Sequence, residues 1–150
     1  MTASTPLVTL SDALPHGTAV TGVGIDLCEI SRIRDAITRH GPRFTARLFL
    51  AGEIRRAPSS PAYAEHVAGL FAAKEAAMKA LGTGMSGVAF CEIAIVRGPG
   101  GPPRLALLGR ALERARHLSV GAAHVTITHD RRTAAAVVLL LRGEPPAGRQ

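Results

Sequence analysis

Residues 20–28 (VTGVGIDLC) alternate with a period of two, which predicts a strand. Val23, Ile25 and Leu27 share one face; Gly22, Gly24, Asp26 and Cys28 share the other. From residue 29 to about 40 the period becomes helical, with Ile30, Ile33 and Ile37 at spacings of three and four, and Gly41-Pro42 ends the helix. Phe44, Leu48 and Phe49 predict a second, short helical turn, and residues 55–61 (RRAPSSP) a loop. The strongest helical signal is residues 65–81 (EHVAGLFAAKEAAMKAL), rich in Ala, free of Pro and stopped by Gly82. Residues 90–97 predict a strand, 98–103 a turn and 104–108 the returning strand. A helix starts near Gly109 and runs towards Leu118. Residues 124–128 and 133–141 predict two more strands, the last one buried. The order β, α, α, long α, β, β, α, β, β predicts an α+β fold: a single domain with a long buried helix on a mostly antiparallel sheet. The domain is expected to span residues 19–142, with 1–18 a loose leader and 143–150 a loose tail.

Composition narrows the possibilities. A chain of 150 residues is one domain, able to bury roughly two-thirds of its unfolded surface. Hydrophobic residues at 47% and charged residues at 19% exclude global disorder. The longest apolar run, residues 134–141, is too short to span a bilayer. The first residues lack a basic region and an apolar core, so no signal peptide is expected and the cytoplasm is the expected compartment. The two cysteines, Cys28 and Cys91, read as small core residues, since two make neither a disulfide framework nor a zinc site. The formal net charge of +7 favours an anionic partner. Aromatic content of 3%, with no Trp, argues against nucleic acid, because single strands need rings to stack on. The basic residues are nearly all Arg; the two lysines, Lys74 and Lys79, sit in the long helix.

Four places carry possible chemistry. Glu75 lies on the apolar stripe of Val67, Phe71 and Met78, where a carboxylate is costly unless paired, protonated or bound to a cation. A pair with Lys79 at i+4 is one reading. Asp26 stands on the small face of its glycine-flanked strand, where a ligand could approach the backbone, or where Asp could cap the following helix. Two isolated acids converging on one site suit magnesium, which takes one or two carboxylates and completes its shell with water and phosphate oxygens. Gly82-Thr83-Gly84 could turn successive N–H groups into an anion-binding concavity, with Lys79 offsetting the helix dipole; a plain glycine cap is the alternative. His129-Asp130 ends a strand, where a His can act as general base, phosphate ligand or simple turn residue.

VGIDLCEISRI, FAAKEAAMKALGTG and HVTITHD, in this order, resemble the three signature stretches of the small holo-acyl-carrier-protein synthases, over roughly residues 21–141. These are 4′-phosphopantetheinyl transferases of fatty-acid and polyketide synthesis. The resemblance implies their fold and their reaction. A serine hydroxyl of an apo acyl carrier protein attacks the β-phosphate of coenzyme A with magnesium present, phosphopantetheine is transferred, and 3′,5′-ADP leaves. It implies Asp26 and Glu75 as the metal ligands. Lys79, Gly82, Thr83, Gly84 and His129 would hold coenzyme A, and Glu29 matches a further acidic position. Glu75 or Asp130, beside His129, would take the serine proton. Arg32, Arg39 and Arg43 would meet the acidic helix of the carrier. A homotrimer with sites at the subunit interfaces is implied as well. The chain departs from the family at Leu70, where Arg is usual, and mildly at Thr126, where Ser is common. The residues alone also suit a non-catalytic basic module that docks acidic carrier domains, or a magnesium-dependent pyrophosphate hydrolase using the same two acids.

Overall fold

The computed structural model describes residues 19–143. The expected leader, residues 1–18, and residues 144–150 of the expected tail lie outside the described residues. In chain order the elements are β1 (Val20–Glu29), α1 (Ile30–His40), α2 (Pro42–Leu48), α3 (Tyr63–Leu81) and a one-turn α4 (Gly84–Gly87). After a 3₁₀ turn (Phe90–Glu92) come β2 (Ile93–Arg97), β3 (Pro103–Leu107), α5 (Gly109–His117), β4 (Val120–His129) and β5 (Thr133–Arg142).

Every predicted helix and strand is present, with shifted ends. The strand expected over residues 90–97 begins with the 3₁₀ turn, so only Ile93–Arg97 is extended. β4 is longer than its alternating stretch, running back to Val120. Pairing is antiparallel throughout the described residues, but in two sheets rather than one: β1-β5-β4 and the hairpin β2-β3. β3 runs close to β4 without forming a ladder with it, and α5 connects the two.

α3 is the centre of the molecule. It packs across β1 and β5 and also touches α1, β2 and β4. Such a helix must be apolar nearly all round, which its run of Ala, Leu and Val provides. The alternation in β1 has an inverted consequence. The face of Gly22, Gly24, Asp26 and Cys28 turns towards α3, whereas Val23, Ile25 and Leu27 are 61%, 58% and 68% exposed. The reason is steric. A Cβ at Gly22 would collide with the Ala80 carbonyl oxygen, and one at Gly24 with that of Ala76. The strand backbone lies directly on the alanine face of the helix, so the room expected at the flanking Gly22 and Gly24 is filled by α3.

Local chain reversals follow from backbone chemistry. Gly41 (φ 53) separates α1 from α2, whose first residue is Pro42. Gly82 ends α3 in the left-handed conformation (φ 68, ψ 21).

Candidate active site

The meeting of β1 and α3 brings Asp26 and Glu75 together. Asp26 is 8% exposed. Its Oδ1 accepts a hydrogen bond from Lys79 Nζ at 2.8 Å, while its Oδ2 is buried with no donor. Lys79 also donates to the Ile25 carbonyl at 2.9 Å. Lys79 therefore pairs with Asp26 and not with Glu75 at i−4, whose carboxyl it reaches only through charge. Nor does Asp26 cap α1, which begins at Ile30 with Glu29 as its N-cap residue.

Glu75 is half-buried beside this pair. Burial, then the adjoining Asp26 carboxyl, push its pKa from the ordinary 4.5 up to about 7; Lys79 and Arg32 pull the other way. Two carboxyls, one bare oxygen and a single ammonium make a site short of positive charge. Asp26 and Glu75 supply the hard oxygen donors that a divalent cation such as magnesium takes, and the donorless Oδ2 is what such an ion would satisfy. No group of three or more His, Cys, Asp or Glu side chains gathers among the described residues. A two-carboxylate site completed by ligand and water is therefore the kind this chain can offer.

The glycine turn does not form the expected concavity. The N–H groups of Gly82 and Thr83 turn back onto α3, donating to the carbonyls of Lys79 (3.0 Å) and Met78 (3.2 Å). The Thr83 hydroxyl also donates to Met78 O, at 3.4 Å. Those amides serve the helix end, where Arg114 Nε adds a bond to Leu81 O at 2.9 Å. Gly84 (φ 60) has open space where a side chain would stand.

His129 lies elsewhere on this chain. It lines a cleft of about 580 Å³ with Arg55, Arg56, Arg97, His66 and Leu70, a cleft to which neither Asp26 nor Glu75 contributes. Three guanidiniums converge there against one carboxylate, Glu65. Burial first, then the nearby Arg56, Arg97 and Arg55, lower the His66 pKa, and its Nε2 accepts the Arg55 N–H at 3.2 Å. Sequence reasoning missed this cluster, because its members come from a loop, α3, β2 and β4 and no local spacing joins them.

Asp130 is engaged by the backbone. Its Oδ1 accepts the N–H groups of Arg132 and Thr133, both at 2.7 Å. Those bonds hold its carboxyl below the ordinary carboxylate range, which makes it a weak proton acceptor. On α1, Arg32, Arg39 and Arg43 of the adjoining α2 are all exposed. Arg32 is the one close enough to be felt by Glu75.

A buried support stands behind the site. Lys74, next to Glu75 in α3, is 0% exposed. It donates to Glu53 Oε2 (2.8 Å), Leu48 O (2.6 Å) and Phe90 O (3.1 Å), and lies over the Phe49 ring. Glu53 in turn accepts the N–H groups of Leu50 and Ile95. The ion pair is fully satisfied, so it ties α2, the following loop, α3 and β2 at one point. Cys28 is in the core, its thiol pushed up to about 11 mainly by burial. Cys91 is exposed rather than a core residue, because the 3₁₀ turn directs it outward.

The signature of the 4′-phosphopantetheinyl transferase superfamily matches residues 22–138, covering β1 through most of β5. The chain belongs to this superfamily. Among phosphopantetheinyl transferases it is 50% identical over 122 residues to a holo-[acyl-carrier-protein] synthase of Solidesulfovibrio magneticus, a match covering 81% of this chain and 98% of that one. The counterpart from Maridesulfovibrio salexigens is 45% identical over the same shares. The crystal structure of the Helicobacter pylori holo-[acyl-carrier-protein] synthase in complex with coenzyme A has a TM-score of 0.68 and 30% identity, covering 79% of this chain and 98% of that one. The chain is thus a phosphopantetheinyl transferase enzyme in fold and in family. Among its described residues no helix is long and apolar enough to cross a membrane.

Proposed function

We propose that this chain transfers the 4′-phosphopantetheine arm of coenzyme A to a serine of an apo acyl carrier protein, with magnesium bound by Asp26 and Glu75. The observation that carries the magnesium reading is the buried, donorless Oδ2 of Asp26 beside the Glu75 carboxyl. A divalent ion there would neutralise charge on the diphosphate as the leaving group departs. Lys79, its ammonium half-exposed although tied to Asp26, adds a second positive charge towards the same phosphates. The serine oxygen bonds to the β-phosphorus as the bond to the bridging oxygen of 3′,5′-ADP breaks. The serine proton goes to Glu75, directly or through a water held beside it, rather than to Asp130, which is held by two N–H groups.

The arginine cleft around His129 suits the phosphate-bearing nucleotide end of coenzyme A. Arg55, Arg56 and Arg97 supply the positive charge that Leu70 does not. Gly84 leaves the approach past the end of α3 free of side chains, while Gly82 and Thr83 serve by ending the helix. The family resemblance implies a homotrimer, and in it one chain's carboxylate pair would face a neighbour's cleft, which accords with the two having no lining residue in common. Arg32, Arg39 and Arg43 form the basic surface for the acidic carrier. The test is intact mass spectrometry of apo carrier mixed with the protein, coenzyme A and magnesium. The carrier should gain one phosphopantetheine arm, and Asp26→Asn should abolish the gain while leaving the fold intact. Full transfer by Asp26→Asn, or cleavage of coenzyme A without modification of the carrier, would contradict the reading.

A further inference from the structure

A second cluster of arginines lies on the other side of α1 from Arg32. The first turn of α1 and the β4–β5 turn enclose an open cleft of about 370 Å³ lined by Glu29, Ser31, Arg34, Arg131, Arg132 and Thr133, over Ile30. The two turns are fastened together, since the Ile30 N–H donates to the Arg132 carbonyl at 2.8 Å. The β4–β5 turn is itself rigid. Asp130 Oδ1 holds the N–H groups of Arg132 and Thr133, and the Asp130 N–H donates to Thr133 O at 3.0 Å. Asp130 thus fixes the backbone that presents two neighbouring arginine side chains.

Arg34, Arg131 and Arg132 are exposed, and none of them is in an ion pair among the described residues. The cleft sets three guanidiniums against the single carboxylate of Glu29. Helix geometry keeps this group apart from the first one. Arg32 and Arg39 are seven residues apart and share a face, whereas Arg34 is two residues, about 200°, from Arg32. α1 is therefore basic along two flanks, one near the Asp26–Glu75 pair and one towards the β4–β5 turn.

We infer that Arg34, Arg131 and Arg132 form a second docking prong for an acidic face of the carrier protein, so that α1 is gripped from both sides. The inference rests on the carrier-modifying reading given above. Exposed guanidiniums on a rigid turn match surface carboxylates in fork geometry and steer an acidic partner. The cleft is open and has no buried donor aimed into it, which fits the edge of a protein interface better than a small-anion site. It shares α1 with the surface already assigned to the carrier.

Steady-state kinetics with apo carrier and coenzyme A at low salt provide the test, using Arg131→Glu/Arg132→Glu, Arg34→Glu and, for comparison, Arg32→Glu/Arg39→Glu. The turn variant should raise the KM for carrier by about tenfold or more, with kcat and the KM for coenzyme A within about twofold. Added salt should weaken the wild type more than the variant. Arg131→Ala/Arg132→Ala, with circular dichroism confirming the fold, should give a smaller rise of the same kind. A carrier KM within about twofold of wild type in both turn variants overturns the inference, even if the Arg32/Arg39 variant is impaired. A wild type that never modifies the carrier overturns the carrier reading, and this inference falls with it.

Discussion

Asp26 and Glu75 put two carboxyls against each other with one ammonium, Lys79, to balance them. In the metal-free protein the least costly state carries a proton on Glu75, and its pKa, raised to about 7, expresses that. The sign follows from linkage. The folded state holds this proton more tightly than the unfolded chain, so the stabilisation is complete below the unfolded value near 4.5 and is lost as pH rises through about 7. Glu75→Gln should therefore flatten this part of the pH dependence. With chelator present at pH 8 it should be more stable than the wild type, by on the order of 1–2 kcal/mol after discounting for solvent screening. Urea denaturation across this pH range measures the difference. The stabilisation that magnesium gives the wild type should grow over the same interval, since cation and proton compete for the same oxygens. A Glu75→Gln variant keeping the wild-type slope would remove the crowded pair from the account. The pair was legible in the sequence, because an acid on the apolar stripe of a helix and an acid between small residues of a strand are both anomalies. The Lys74–Glu53 pair behind it was not, because Glu53 is a lone acid in a loop with no pattern to mark it.

Between elements, the crossing of β1 over α3 decides where Asp26 goes. Gly22 and Gly24 let the strand backbone touch the carbonyls of Ala80 and Ala76, and the next residue on that face, Asp26, then meets Glu75 and Lys79. Gly24→Ala should destabilise by about 3 kcal/mol, because the obstacle is helix backbone and cannot rotate away. It should also cut transfer far more than a loss of folded protein explains, since it pushes the strand off the helix just before Asp26. Thermal denaturation and kcat measured on the folded fraction separate the two effects. Unchanged stability would mean that the elements slide past each other easily and that the glycines set no distance. Here the sequence reveals which residues share a face but not what each face meets. Period-two alternation is the same whether Val23, Ile25 and Leu27 turn inward or outward. Only the alanine surface of α3, which a strand can approach closely through glycine alone, makes the small face the inner one.

That inversion leaves an apolar strip on the outside of the whole molecule. Val23, Ile25 and Leu27 of β1 are exposed, and Ile25 pairs across the ladder with Val137 of β5, itself 37% exposed. The strip lies on a twisted three-stranded sheet whose other face is covered by α3. Exposed branched side chains side by side on a sheet face are what an assembly interface buries. The separation of the carboxylate pair from the His129 cleft gives the same face a functional reason to be covered. Ile25→Glu places a charge in the strip, where burial in an interface would cost several kcal/mol, while in a free chain the side chain would simply be solvated. Light scattering should give the wild type a mass three times the 15.6 kDa of one chain and the variant the mass of one. Helical circular dichroism should be retained and transfer lost. Mixing inactive Asp26→Asn with an inactive variant of the cleft, Arg55→Glu/Arg97→Glu, tests whether a site is shared between chains. If each site draws its carboxylates from one chain and its arginines from another, every mixed trimer contains one intact site, and activity should return on mixing. Activity that stays absent in mixtures shown to exchange subunits would place both halves of the site on one chain, and a monomer as active as the wild type would leave the apolar strip without this role.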